Sequence, residues 1–254
     1  MTVASFQMFS EALGTPQSVN VILPPPERIA EASILYLLHG LLDDQTTWLH
    51  RTRLLEHAQQ YNLVVVMPFG QRSFYTDQKT GYAWRTWVAK ELPEKMETWL
   101  NLRGVGSRRH IAGLSMGGYG AMKLGLSEPQ RFQSIGAFSG VLDLAGAAQR
   151  SERSDAIVPD LIASFGSPEA IAGSGDDVLA LPLSVDGPRL FVTCGLEDSL
   201  LEGNRRFRDR VHQAEVPLVY EEMPGGHEWW LWDLNVEAYL AWLAELGLLT
   251  RLDP

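Results

Sequence analysis

The chain has 254 residues, 45% hydrophobic and 20% charged, which describes a folded globular protein and excludes a disordered or fibrous one. Its net charge of −10 argues against nucleic acid or an anionic membrane as a partner, since both are bound by clustered Lys and Arg. Cys194 is the single cysteine, so no disulfide can close within the chain. The amino terminus lacks a basic start and an apolar run, and runs such as "LVVVMPF" are too short to cross a bilayer, so the expectation is a cytoplasmic protein.

In chain order, short apolar runs rich in β-branched residues predict strands. They are "VNVIL" (19–23), "ILYLL" (34–38), "LVVVM" (63–67), "HIAGL" (110–114), "SIGAF" (134–138), "LFVTC" (190–194) and "LVYEEM" (218–223). Between them, helical spacing covers Trp48 to Tyr61, Val88 to Leu102, Met116 to Ser127, Leu200 to Ala214 and Glu228 to Leu248. Strands alternating with helices predict an α/β fold: a mostly parallel central sheet of about eight strands, helices on both faces, ligands at the carboxyl edge. No repeat, low-complexity stretch or linker divides the chain, so a single domain over 1–254 is expected. Residues 142–185 break the alternation and read as a lid or an irregular helical excursion.

"HIAGLSMGGYGAM" places Ser115 between a predicted strand and a predicted helix, flanked by Gly113 and Gly117. This is the context of a nucleophile elbow, where a sharp strand-to-helix turn lifts the serine hydroxyl above the sheet edge. The Met116 backbone amide, at the helix start, is one candidate oxyanion donor. A serine hydroxyl is a weak nucleophile and needs a base. Of six histidines, His227 alone follows both a strand run and a "PGG" turn, after the serine in sequence. The acid belongs between them, just after a strand; Asp198 in "CGLEDSLLEG" is the choice, with Glu197 and Asp143 as alternatives. Asp198 could equally cap the helix that follows. In "YLLHGLLDD", Gly40 lets the backbone bend so that the Leu41 amide can be the second oxyanion donor, while His39 supports the loop.

With these residues in place, the chain resembles the α/β-hydrolase family named Putative esterase. That family holds tributyrin esterases, feruloyl and acetylxylan esterases, esterase D (the S-formylglutathione hydrolases) and the mycolyltransferases. The resemblance runs through "YLLHGLLDDQTTW", "SFYTDQKTGYAWRTWVAKELP", "HIAGLSMGGYGAMKLGLSEPQRF", "AFSGVLDL", "GLEDSLLEGNRRF" and "GGHEWWLWDLNVEAYLAWL". It implies the α/β-hydrolase fold, with Ser115 as nucleophile, His227 as base, Asp198 as acid and the amides of Leu41 and Met116 as the oxyanion hole. It also implies acyl transfer without metal or organic cofactor, on a small-molecule ester. The sequence looks closest to the tributyrin-esterase branch. Esterase D proteins usually carry a cysteine after the oxyanion glycine and a histidine after the elbow's double glycine, where this chain has "HGLLDD" and Tyr119.

Leu42 and Trp230 are candidates to line the acyl or alcohol pocket, and the other tryptophans read as packing anchors. "LLDD" and "GDD" read as solvated or capping aspartates, not metal ligands. A thioesterase such as an S-formylglutathione hydrolase is the alternative activity. A non-catalytic binding protein on the same fold is the competing class. Edge strands leave room for a homo-oligomer.

Overall fold

The computed structural model describes residues 1–102, 104–152 and 154–252. Its strands are β1 (Thr2–Ser10), β2 (Thr15–Leu23), β3 (Ser33–Leu38), β4 (Leu63–Pro68), β5 (Arg109–Leu114), β6 (Ser134–Phe138), β7 (Arg189–Gly195) and β8 (Leu218–Met223). Among the described residues they form one sheet of eight strands in the order β1-β2-β4-β3-β5-β6-β7-β8. β1 pairs antiparallel with β2, β2 antiparallel with β4, and all later pairs are parallel.

The helices are α1 (Thr47–Arg51), α2 (Leu54–Ala58), α3 (Trp84–Thr86), α4 (Leu92–Trp99), α5 (Met116–Ser127), α6 (Leu144–Arg150), α7 (Val158–Phe165), α8 (Leu201–Gln213) and α9 (Trp229–Glu245). A π-helical stretch, Trp87–Glu91, joins α3 to α4. Alternate residues of each strand enter opposite cores, as the period-two side-chain rule requires. Ile34, Tyr36 and Leu38 pack with Trp87, Tyr119 and Phe207 on the face covered by α3 to α8. Leu35 and Leu37 pack with Trp48, Trp232 and Tyr239 on the face covered by α1, α2 and α9. β3, β4 and β6 are buried along their whole length because both faces are covered, which explains their unbroken apolar sequences.

Two elements differ from the sequence expectation. β1 is an additional edge strand; only Ala4, Phe6, Met8 and Ser10 turn inward, so its apolar signal is diluted. The helix expected from Trp48 to Tyr61 is broken at Thr52 and Arg53. Thr52 takes extended backbone angles, its hydroxyl donates to the Trp48 carbonyl at 2.5 Å and accepts from the Leu54 amide at 3.2 Å, while the Arg53 amide donates to Asp233 at 2.8 Å. Side-chain bonds to backbone thus replace the helical ladder there. Among the described residues, the excursion at 142–185 contains α6, α7 and a 3₁₀ turn at Pro168–Ala170.

The chain runs from β3 outward to β4, then returns to place β5 on the other side of β3. The carboxyl ends of β3 and β5 therefore flank a topological switch point, where open α/β sheets bind ligands. Leu41 follows β3 and Ser115 follows β5.

Candidate active site

Ser115 joins β5 to α5 with φ 54° and ψ −117°, a conformation that L-residues avoid and that is held here by tight surroundings. Its amide donates to the Phe138 carbonyl at 3.0 Å, and its carbonyl accepts from the Tyr119 and Val141 amides at 3.0 and 3.2 Å. The flanking glycines are set by contact. A Cβ on Gly113 would lie 2.5 Å from the Gly117 carbonyl carbon, and one on Gly117 would lie 2.4 Å from the Leu38 carbonyl oxygen. The strand, the elbow and the β3 terminus can meet this closely only without side chains at those positions. Ser115 itself is half-buried amid buried neighbours.

His227 comes after β8, in the loop that leads into α9. Its Nδ1 lies 2.8 Å from Asp198 Oδ2. The imidazole packs edge-on to Trp232, with ring centroids 4.8 Å apart. The Asp198 side chain has no exposure, and its Oδ1 accepts the Leu200 amide at 2.9 Å. One oxygen thus meets the imidazole and the other the turn ahead of α8, which is entered at Leu200 without a side-chain cap, so Asp198 does not cap that helix. Burial works to raise the Asp198 carboxyl, but the bonds from His227 and Leu200 outweigh it and hold it below the usual carboxylate range.

The two alternative acids are engaged elsewhere. Glu197 Oε2 accepts the Gly225 amide at 2.5 Å, and the Glu197 amide donates to the Gly225 carbonyl at 3.0 Å, which joins the acid loop to the histidine loop. Asp143 caps α6 through Gly146 at 2.9 Å and pairs with Arg206 at 2.6 Å. Cys194, at the end of β7, is buried, and burial followed by the nearby Asp198 charge pushes its thiol up to about 12.

Across the switch point, the loop after β3 is held by His39. The Gly70 amide donates to its Nε2 at 2.9 Å, which leaves Nδ1 protonated to donate to the Gly40 carbonyl at 2.7 Å. Burial lowers this imidazole to about 4, so it stays neutral and structural, in keeping with a loop support. Asp43 Oδ2 accepts the Gly40 amide at 3.1 Å, and Asp44 closes the turn at Thr46 with bonds of 2.7 and 2.6 Å. In "GDD", Asp176 pairs with Lys123 at 3.2 Å. Both aspartate pairs are therefore occupied by the protein's own donors.

Ser115, Met116, Leu41 and His227 line one cavity of about 280 Å³. Phe74 and, from the excursion, Leu144, Ala148 and Leu161 form apolar parts of its wall. Leu42 and Trp230 do not line it: Leu42 is 86% exposed, and Trp230 is 51% exposed, with its indole N–H donating to Glu228 and its ring over Gly225. Phe74, Leu144, Ala148 and Leu161 are wall residues that sequence reasoning does not single out, although Phe74 lies in the quoted "SFYT" stretch.

The chain is 28% identical to an acetyl esterase of Caldicellulosiruptor saccharolyticus over 97% of its length and all of that protein. It superposes on FphF, a fluorophosphonate-binding serine hydrolase of Staphylococcus aureus, with a TM-score of 0.85 and 26% identity, covering 95% of this chain and 98% of that one. It superposes on the S-formylglutathione hydrolase FrmB of Staphylococcus aureus with a TM-score of 0.83 and 26% identity, covering 96% and 99%. The fold is that of the α/β-hydrolases, and since the family model described as "Putative esterase" matches residues 10–243, the chain belongs to that esterase family.

Proposed function

We infer that this chain is a serine carboxylesterase that hydrolyses short-chain or small aryl or sugar esters through an acyl-enzyme. The observation that carries this reading is one cavity lined by a strained elbow serine and by a histidine whose far nitrogen is held by a buried aspartate. With Nδ1–H directed at Asp198, Nε2 is left as the base. Ser115 attacks the ester carbonyl and gives its proton to His227. The Leu41 and Met116 amides hold the tetrahedral oxyanion, and the Asp198 carboxylate stabilises the imidazolium. Collapse breaks the C–O bond, and the alcohol leaves with the proton from His227. Water activated by the same imidazole then releases the acid.

The size and apolar wall of the cavity support a small ester, since about 300 Å³ lies at the lower end of ligand pockets. Residues 142–185 supply part of that wall as a cover on a single α/β-hydrolase domain. Likeness to FrmB favours a second reading, thioester hydrolysis. The test is a p-nitrophenyl acetate and butyrate panel beside S-formylglutathione, with wild type and Ser115→Ala, and mass mapping of a fluorophosphonate adduct. Hydrolysis of the O-esters lost in Ser115→Ala, with the adduct on Ser115, is the expected result. Equal rates in the two proteins, or an adduct on another serine, would overturn it.

A further inference from the structure

The stretch "SFYT" (73–76) takes no part in the proton chemistry, yet its backbone is held in an unusual conformation beside the cavity. Phe74 and Tyr75 are consecutive left-handed residues, with φ of 52° and 50°, and both are buried. L-residues hold such angles in pairs only where surrounding bonds impose them. Those bonds reach two places that matter to the reaction proposed above.

One is the oxyanion loop. The Tyr75 hydroxyl donates to the His39 carbonyl at 2.9 Å, immediately before Gly40 and Leu41. The Tyr75 ring fills the space beside Gly120 on α5 and beside Gly70, whose amide donates to His39 Nε2. Tyr75 is therefore wedged between the helix that starts at Met116 and the loop that carries Leu41. The other place is the cavity wall, since Phe74 lines it.

Lys123 closes the arrangement. It lies on α5, its side chain has no exposure, and the proton chemistry does not use it. Its ammonium donates to the Phe74 carbonyl at 3.1 Å, to the Thr76 hydroxyl, and to Asp176 in the excursion at 3.2 Å. The Thr76 hydroxyl donates to the same Phe74 carbonyl at 3.1 Å, and Ser73 ties the other side through the Gly70 carbonyl at 2.5 Å and the Tyr75 amide at 3.1 Å. Burying an ammonium is expensive, so a lysine here with three acceptors serves to fix what it touches.

We propose that Tyr75 and Lys123 are positioning residues, which lock the 73–76 stretch against the nucleophile helix and so fix the distance between the two oxyanion amides and the place of Phe74 in the acyl wall. The proposal rests on the serine-esterase reading. Tyr75 acts through the His39 carbonyl and governs the transition state; Lys123 acts through Phe74 and Asp176 and also governs acyl-chain fit.

The experiment measures kcat and KM on p-nitrophenyl acetate and butyrate, the rate of fluorophosphonate labelling, and Tm, for wild type, Tyr75→Phe and Lys123→Met. Tyr75→Phe removes one oxygen and keeps the ring. It should lower kcat and the labelling rate about 10-fold with KM changed less than about 2-fold, the pattern of a displaced oxyanion donor. Lys123→Met should lower kcat and also change the butyrate-to-acetate ratio of kcat/KM. Tyr75→Phe with a lower Tm and unchanged kcat would overturn the proposal, leaving a stabilising role only. If Lys123→Met does not fold, Tyr75→Phe alone decides. An inactive, unlabelled wild type would overturn the esterase reading and the proposal with it, whereas an active wild type with unchanged variants overturns the proposal alone.

Discussion

The two halves of the candidate site are built in different ways. In one, side chains carry the proposed chemistry: Ser115 at the end of β5, and His227, which meets Asp198 across two loops joined by the Glu197 and Gly225 backbones. In the other, the loop after β3, side chains hold backbone, with His39, Asp43 and Tyr75 all bonded to the peptide groups of residues 39 and 40. The first half can be lost by changing one functional group. The second can be lost only by moving a loop, so its failures should be smaller and more graded.

The largest effects therefore belong to the first half. Ser115→Ala and His227→Ala should each lower kcat by about 10⁵-fold or more with folding intact by circular dichroism. Asp198→Asn should lower kcat by roughly 10⁴-fold, because the imidazole loses the partner that fixes its tautomer. Asp143→Asn separates the candidate acids: it should leave kcat within about 10-fold and show instead as a stability loss of about 1 kcal/mol, since the ion pair with Arg206 is broken while the asparagine oxygen still caps α6. If the two asparagine variants damaged kcat equally, the acid assignment would move.

In the second half, Gly117→Ala forces a methyl toward the Leu38 and His39 carbonyls, at 2.4 and 2.7 Å. The expectation is ~1–3 kcal/mol of destabilisation and a measurable fall in kcat, read by urea unfolding and by turnover. A variant of native stability and rate would show that the elbow is looser than its contacts imply.

The effect that leaves turnover at neutral pH untouched is on stability against pH. Burial lowers His39 and His110 from 6.5 to about 4. Their unfolded forms take up protons that the folded forms refuse, so the stability they contribute is present above about pH 6.5 and is lost as pH falls toward 4. Each can account for about 3 kcal/mol over that range. His110→Gln should flatten the loss of stability between pH 7 and pH 4.5, a change visible in urea titrations at the two pH values.

What the sequence displayed follows the same division. Runs such as "ILYLL" and "LVVVM" were readable because strands covered on both faces must be apolar throughout, and α5 matched its expected bounds because the elbow marks one end. β1 escaped notice because an edge strand needs only alternate inward residues. The break at Thr52 was hidden because it depends on Asp233, far along the chain on α9. In the site, Ser115, Asp198 and His227 stood out by residue type and chain order. Leu42 and Trp230 adjoin Leu41 and His227 closely in sequence, yet both are exposed and lie outside the cavity lining; Phe74 reaches the cavity from the loop after β4, through backbone angles that no pattern of apolar residues announces.

The buried thiol of Cys194 gives the chain a built-in clock. A thiol pushed up to about 12 and shut inside β7 is inert to alkylating reagents while the sheet is closed. Its modification should therefore require local opening of β7, so the extent of alkylation reports how often the strand that leads to Asp198 leaves its packed state. The same inertness means that a cysteine introduced at the exposed Leu42, the chain neighbour of Leu41 in the cavity wall, would be the one reactive thiol in the folded chain, ready to carry a probe.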